Sequence, residues 1–276
     1  MTEKRIIIFT DPHLCHFNWY GVTSEDRLTR MISQLKEYDE KHPFDEIICL
    51  GDSSLDFWTG VDGGSFTKHG INNTKNFIDN FLSKLGKSFY LLPGNHEQYD
   101  NEHWLQFVGR PRQDSFVIGD YLFITCDTYL DPVNQSDGIY TPVDVEFVKE
   151  KIAEHPALPV IIVSHGFEIA NETPEFFELI KSEKRIVGLF QGHDHKTFVE
   201  NLGEKAGNIS IYHAGHFSFT GDTLENQMWG FCDVILGEEG VSVKYIEPGN
   251  DVIVNSDTVN YPQREFAELF MPRRDK

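Results

Sequence analysis

Short apolar runs that break off into polar clusters constrain this chain more than any other feature. Arg5 to Phe9 leads into "TDPHL", Glu46 to Leu50 into "GDSSLD", Ser88 to Leu92 into "PGNHE", Pro159 to Val163 into "SHG", and Val187 to Phe190 into "QGHDH". Runs of this length suit buried strands, and the segments between them carry apolar residues at helical spacing. Tyr121 to Cys126 is a further run of the same kind. The alternation predicts βαβ units and a largely parallel sheet, an α/β fold. In such a sheet the carboxyl ends of the strands lie along one edge, where ligands bind. The five clusters are therefore expected to converge on one place.

Leu28, Met31, Ile32 and Leu35 follow Ser24, a candidate helix cap, and Phe77, Ile78, Phe81, Leu82 and Leu85 precede Gly86. Thr141-Pro142 and Thr173-Pro174 each set a capping hydroxyl before a proline suited to a first helical turn. After Asn208, "ISIYHAG", "WGFCDVIL" and "VSVKYIE" read as successive strands, which predicts a second, mostly antiparallel sheet beside the first. No linker or repeat divides the chain, so residues 1–276 are expected to form a single domain, with an irregular extension from about Pro248. The glycine-rich insert Phe57 to Gly70 is expected to be a long loop at the ligand edge.

A hydrophobic content of 39% over 276 residues suffices for a sizeable core. Cys15, Cys49, Cys126 and Cys232 lie far apart without a CxxC pair, which predicts free buried thiols. The net charge of -20 disfavours long nucleic acid as a partner. No apolar stretch approaches the roughly 18 residues of a membrane span and no secretory signal opens the chain, so the expected location is cytoplasmic.

The clusters are rich in metal-ligand residues. Pro12 favours an extended Asp11, and residues two apart in extended chain point the same way, so Asp11 and His13 are expected to grip one ion together. Asp11, His13, Asp52, Asn95, His165, His193 and His195 make seven donors, more than one ion of four to six ligands needs. Two divalent ions sharing a carboxylate is the expected arrangement, with manganese, iron and zinc all compatible.

"DPH", "GDSSLD", "GNHE", "SHG" and "GHDH", in this order from Arg5 to Lys196, resemble the calcineurin-like metallophosphoesterase superfamily, whose pattern is DxH, GD, GNH[DE], H and GHxH. The resemblance implies a two-sheet β-sandwich flanked by helices, the four-layer αββα arrangement. It also implies one ion on Asp11, His13 and His195, another on Asn95, His165 and His193, and Asp52 bridging them. His96 would then stand beside the scissile phosphate as the catalytic histidine. The implied reaction is hydrolysis of a small phosphoester by a hydroxide that bridges the ions.

Two departures narrow the branch. Where Ser/Thr protein phosphatases resemble GDxVDRG and RGNHE, this chain has Leu55 and Pro93 in place of a dyad aspartate and an arginine; Asp56, one position on, is a candidate to orient His96. Purple acid phosphatases resemble DxG and GDxxY, against His13 and Leu55 here. What remains is similar to bacterial phosphodiesterases of the cyclic-nucleotide type, with phosphomonoesterase, nucleotide-sugar or lipid pyrophosphatase, and a scaffold like the retromer subunit as alternatives. Trp19, Tyr20 and Trp58 are candidates to stack on substrate, His16, His69, His213 and His216 to line its pocket, and Arg27 and Lys196 to contact phosphate. Loop packing, strand ends and solvated surface are the competing roles for these residues.

Overall fold

A computed structural model describes residues 3–16, 18–19, 22–59, 64–130, 136–218, 229–254, 257–265 and 269–275. Among them the chain forms β1 (Lys4–Phe9), the short pair β2 (Asn18–Trp19) and β3 (Val22–Thr23), α1 (Ser24–Lys41), β4 (Glu46–Cys49), α2 (Ser65–His69), α3 (Asn73–Asn80), β5 (Ser88–Leu91) and α4 (Asn101–Val108). There follow β6 (Asp114–Ile118), β7 (Tyr121–Cys126), α5 (Val145–Glu154), β8 (Val160–Ser164), α6 (Pro174–Ser182), β9 (Ile186–Gln191) and β10 (Val199–Asn201). The last strands are β11 (Ser210–His213), β12 (Phe231–Leu236), β13 (Gly240–Val254), β14 (Asp257–Glu265) and β15 (Leu269–Pro272).

Two mixed sheets face each other. The first runs β14-β13-β12-β1-β4-β5 with β15 also on β13; the second runs β10-β11-β9-β8-β7-β6. The parallel strands are thus not in one sheet, as the sequence predicts, but divided: β1, β4 and β5 in the first, β7, β8 and β9 in the second. Nor do the C-terminal strands form a sheet of their own. β11 joins β9 in parallel, whereas β12 flanks β1 antiparallel. An apolar run has the same composition whichever sheet it enters, so periodicity alone cannot assign it.

The period-two alternation of the strands builds the layers. Ile6, Ile8 and Ile48 of the first sheet meet Tyr121, Phe123, Ile161 and Phe190 of the second in a core between the sheets. Ile7, Phe9 and Ile47 turn outward onto Leu28, Met31 and Leu35 of α1 and Phe77 of α3. Leu122, Ile124 and Ile162 do the same under Val148 of α5 and Phe176 of α6. Helix, sheet, sheet, helix is the resulting order, the four-layer sandwich.

Local signals fare unevenly. Thr173 caps α6 as expected, its hydroxyl accepting from Phe176 N at 3.2 Å, with Pro174 in the first turn. α1 is capped by Thr23 rather than Ser24, whose hydroxyl instead donates to the carbonyl of Cys15. α5 begins at Val145 with Asp144 as its cap, not at Thr141-Pro142. The stretch from Pro248 is not irregular: β13 passes through it and pairs with β14, with left-handed Gly249 (φ 77°) absorbing the turn signal inside the strand. The four cysteines are free and buried.

One buried ion pair ties the loop after β5 of the first sheet to the second. Arg112 donates from Nε and Nη2 to Asp127, just beyond β7, and from Nη1 to the carbonyls of Glu97 and Tyr99 at 2.7 and 2.8 Å. Removing one partner of such a pair leaves an uncompensated buried charge, costing about 3–5 kcal/mol. We expect Arg112→Met to lose stability on that scale in urea unfolding, and Arg112→Met/Asp127→Leu to recover much of it; equal losses would contradict this account.

Candidate metal centre

The five clusters meet at the seam between the sheets, those after β1, β4 and β5 on one side and those after β8 and β9 on the other. Backbone bonds stitch the first two loops together: Asp11 N donates to Gly51 O at 3.1 Å and His13 N to Asp52 O at 2.9 Å. The extended Asp11 expected from Pro12 is not found. Asp11 (φ 54°), His13 (49°), Asp52 (49°), His193 (67°) and His195 (55°) are all left-handed. Asp and His tolerate that region better than most residues, but each such residue costs on the order of 1–3 kcal/mol, sustained only where the surroundings over-determine it. Here the reason is convergence of side chains.

Gly94 explains the Pro-Gly turn before Asn95. A Cβ on it would lie 2.0 Å from Asp52 Oδ1, and one on Gly192 would lie 1.9 Å from Thr10 Oγ1. Only glycine lets the loops close this tightly.

All seven expected donors are brought together. His195 Nε2 is 3.1 Å and His13 Nε2 3.4 Å from Asp11 Oδ1. Asp52 Oδ2 lies 3.3 Å from His13 Nε2 and 3.2 Å from His165 Nε2, so one carboxylate oxygen stands between two histidine groups. Asn95 Oδ1 lies 2.9 Å from His165 Nε2 and 3.0 Å from His193 Nδ1. Asp11 with His13 and His195, and Asp52 with His165 and His193, each place ligand atoms within 4.8 Å of one another, a spacing that can hold a cation.

The surrounding residues aim these donors. His165 Nδ1 is 2.8 Å from Leu50 O and His13 Nδ1 is 2.5 Å from Ser218 Oγ, which leaves both Nε2 atoms turned inward. Glu97 is buried and accepts from Asp52 N (2.9 Å), Ser53 Oγ (2.6 Å), Ser54 N (2.7 Å) and Gly94 N (2.7 Å), locking the second and third loops together. Arg27, a candidate either for phosphate contact or for solvated surface, is instead buried and donates to the carbonyls of Pro12, His13 and Phe217. It clamps the first loop.

The remaining candidates disperse. Asp56 does not touch His96: it accepts from Ser65, Asn73, Thr74 and the Tyr99 hydroxyl, knitting the start of α3 to the core. Two carboxylates stand beside His96, Asp137 at 3.4 Å from its Nδ1 and Asp52 at 3.7 Å from its Nε2, and Nδ1 also lies 3.4 Å from Ser136 O. Trp58 stands edge-on to the His96 ring at 6.2 Å. His216 stacks on His195 at 4.9 Å, His213 pairs with Asp194 at 2.8 Å, and His16 and His69 meet edge to face at 5.6 Å. Lys196 is exposed. Tyr20 and the side chain of Trp19 lie outside the described residues, as do residues 60–63 of the insert.

The sequence model of the calcineurin-like phosphoesterases matches residues 4–197. The chain belongs to the calcineurin-like phosphoesterase family. Metal-dependent phosphoester hydrolysis is that family's general activity, and the donor set is of the kind such chemistry uses. No curated protein matches in sequence. Among solved structures the chain is similar to GAP50, the anchor in the inner membrane complex of Plasmodium, at 13% identity and a TM-score of 0.56 over 95% of this chain and 89% of that one. It is also similar to the purple acid phosphatase PPD1 of yellow lupin seeds, at 14% identity and a TM-score of 0.55 over 96% of this chain and 53% of that one. At these identities the likeness concerns the fold.

Charge balance at the seam follows from burial. Burial alone would raise Asp11 and Asp52, but His195 and His165 hold Asp11, and His165 and His96 hold Asp52, well below the usual carboxylate range. Burial would likewise lower His165, yet Asp52 and Asp11 push it up to about 10. In the metal-free protein this raised histidine contributes stability that is complete below its ordinary pKa of about 6.5 and is lost as pH rises through about 10. A cation held by His165 would displace that proton, and divalent affinity would then rise with pH over this window. Calorimetric titration with manganese near pH 7.5, in buffers of differing ionisation enthalpy, is expected to show net proton release; none would contradict the assignment.

Proposed function

We propose that this protein hydrolyses a phosphodiester at a centre for two divalent cations, with Asp11, His13 and His195 on one, Asn95, His165 and His193 on the other, and Asp52 shared. The observation that carries this reading is the position of Asp52 Oδ2, 3.3 Å from His13 Nε2 and 3.2 Å from His165 Nε2. Two cations there would supply a water acidified toward neutrality and positive charge against the phosphoryl oxygens. Mixed nitrogen and oxygen donors suit manganese, iron and zinc alike.

The protein's own residues supply orientation and proton handling. Water's oxygen bonds to phosphorus as the bond to one alcohol oxygen breaks, and that oxygen needs a proton. We assign that proton to His96, whose position supports the role: its backbone N–H donates to Asp52 Oδ1 at 3.0 Å, and its Nε2 lies 3.7 Å from Asp52 Oδ2, with Nδ1 turned to Ser136 and Asp137. Asp137 is then the positioning carboxylate that Asp56 cannot be.

The charge of the surroundings favours a diester over a monoester. Leu55 and Pro93 stand where a dyad aspartate and an arginine would be in enzymes that take a dianion, and the guanidiniums of Arg27 and Arg112 are directed at backbone carbonyls and, for Arg112, at Asp127. A diester carries a single negative charge and needs less cationic help. On a dialkyl phosphodiester, whose alkoxide leaving group needs the proton, with manganese we expect His96→Ala to lower kcat by about 100-fold or more with metal content unchanged. An unaltered rate would overturn the role given to His96.

A further inference from the structure

Beside the centre, on the side of His193, lies a hollow of about 310 Å³ that the chemistry above does not use. Its wall includes the carboxylates Glu168, Asp194 and Glu200, together with Phe167, Phe198 and Tyr129, and it contains no lysine or arginine. His213 is held in this wall by Asp194 Oδ2 at 2.8 Å and by Phe198, whose ring stacks on it at 3.7 Å. One buried polar atom of the lining has no hydrogen-bond partner, the hydroxyl of Tyr129, a residue 3% exposed, whereas Nε2 of His213 faces Glu200 Oε2 at 3.7 Å. A satisfied wall would leave no such hydroxyl. Its orphaned state marks the wall as unfinished without a guest.

From this we infer that the hollow receives one alcohol substituent of the diester, and that this substituent carries a cationic group, an amine or a quaternary ammonium. The inference rests on the phosphodiesterase reading and names the substrate class within it. Carboxylates on several sides repel a second phosphate, a sulfate or a carboxylate, whereas they and the aromatic faces of Phe167, Phe198 and Tyr129 attract an ammonium. His193 belongs to both places. Its ring lines the hollow, and its Nδ1 lies 3.0 Å from Asn95 Oδ1, so a short alkyl chain leads from a phosphorus at the centre into the hollow. An amine at its end also gives the Tyr129 hydroxyl an N–H to accept.

The test uses the manganese-loaded full chain and two aryl diesters of the same shape, p-nitrophenyl 2-(trimethylammonio)ethyl phosphate and its neutral 3,3-dimethylbutyl isostere. We expect kcat/KM to favour the cationic ester by about tenfold, and the preference to shrink toward unity in Glu168→Gln/Glu200→Gln. Equal rates for the two esters, or an unchanged preference in the variant, would overturn the inference. If neither these esters nor bis-p-nitrophenyl phosphate is hydrolysed, the phosphodiesterase reading fails. The hollow is then read separately by calorimetry with 2-(trimethylammonio)ethanol against 3,3-dimethylbutanol: saturable binding of the cation alone, weakened in the variant, supports it, and no difference overturns it. A third equivalent of manganese, lost in the variant, would also overturn it by making the hollow an ion site.

Discussion

Two buried carboxylates, Asp11 and Asp52, sit at the seam between two sheets, and the structure around them is arranged to make that tolerable. Each is fully enclosed or nearly so, at 0% and 2% exposed, where an uncompensated charge would cost several kcal/mol. Imidazoles from both sheets supply the compensation: His13 from the first, His165 and His195 from the second. Divalent cations would do so more completely. The left-handed backbone at five of the donors and the glycines that allow loops to interpenetrate are consequences of packing so many donors around those two groups.

Much of this was legible in the residues. The alternation of Ile6 and Ile8 with Ile7 and Phe9 announces a strand covered on both faces, and the polar clusters after the strands announce a site at strand ends. What could not be read was partnership. Strand β11 looks like its antiparallel neighbours in composition, yet lies parallel to β9, because sheet membership is decided by the whole core and not by any local period. The stretch through Pro248 is strand because β14 is there to pair with it.

The site divides in the same way. The candidate donors stood out because metal chemistry restricts residue types, whereas the residues around them are of common types and are recruited from a distance. Ser218 reaches His13 across 205 positions and Asp137 faces His96 from 41 positions away. Glu97 stood in plain view within "GNHE" and carried its own signal, an acidic residue buried beside a turn rich in unpaired backbone N–H groups. Arg27 shows the opposite risk: a cation near a phosphoester site invites a substrate role, but three backbone carbonyls, two in the loop after β1 and one at Phe217, already claim it.

Occupancy of the seam is the most direct test of the account. Crystals grown with manganese and measured at its absorption edge are predicted to show two anomalous peaks roughly 3.5–4 Å apart, with Asp52 between them. A single peak, or none among the seven donors, would contradict it.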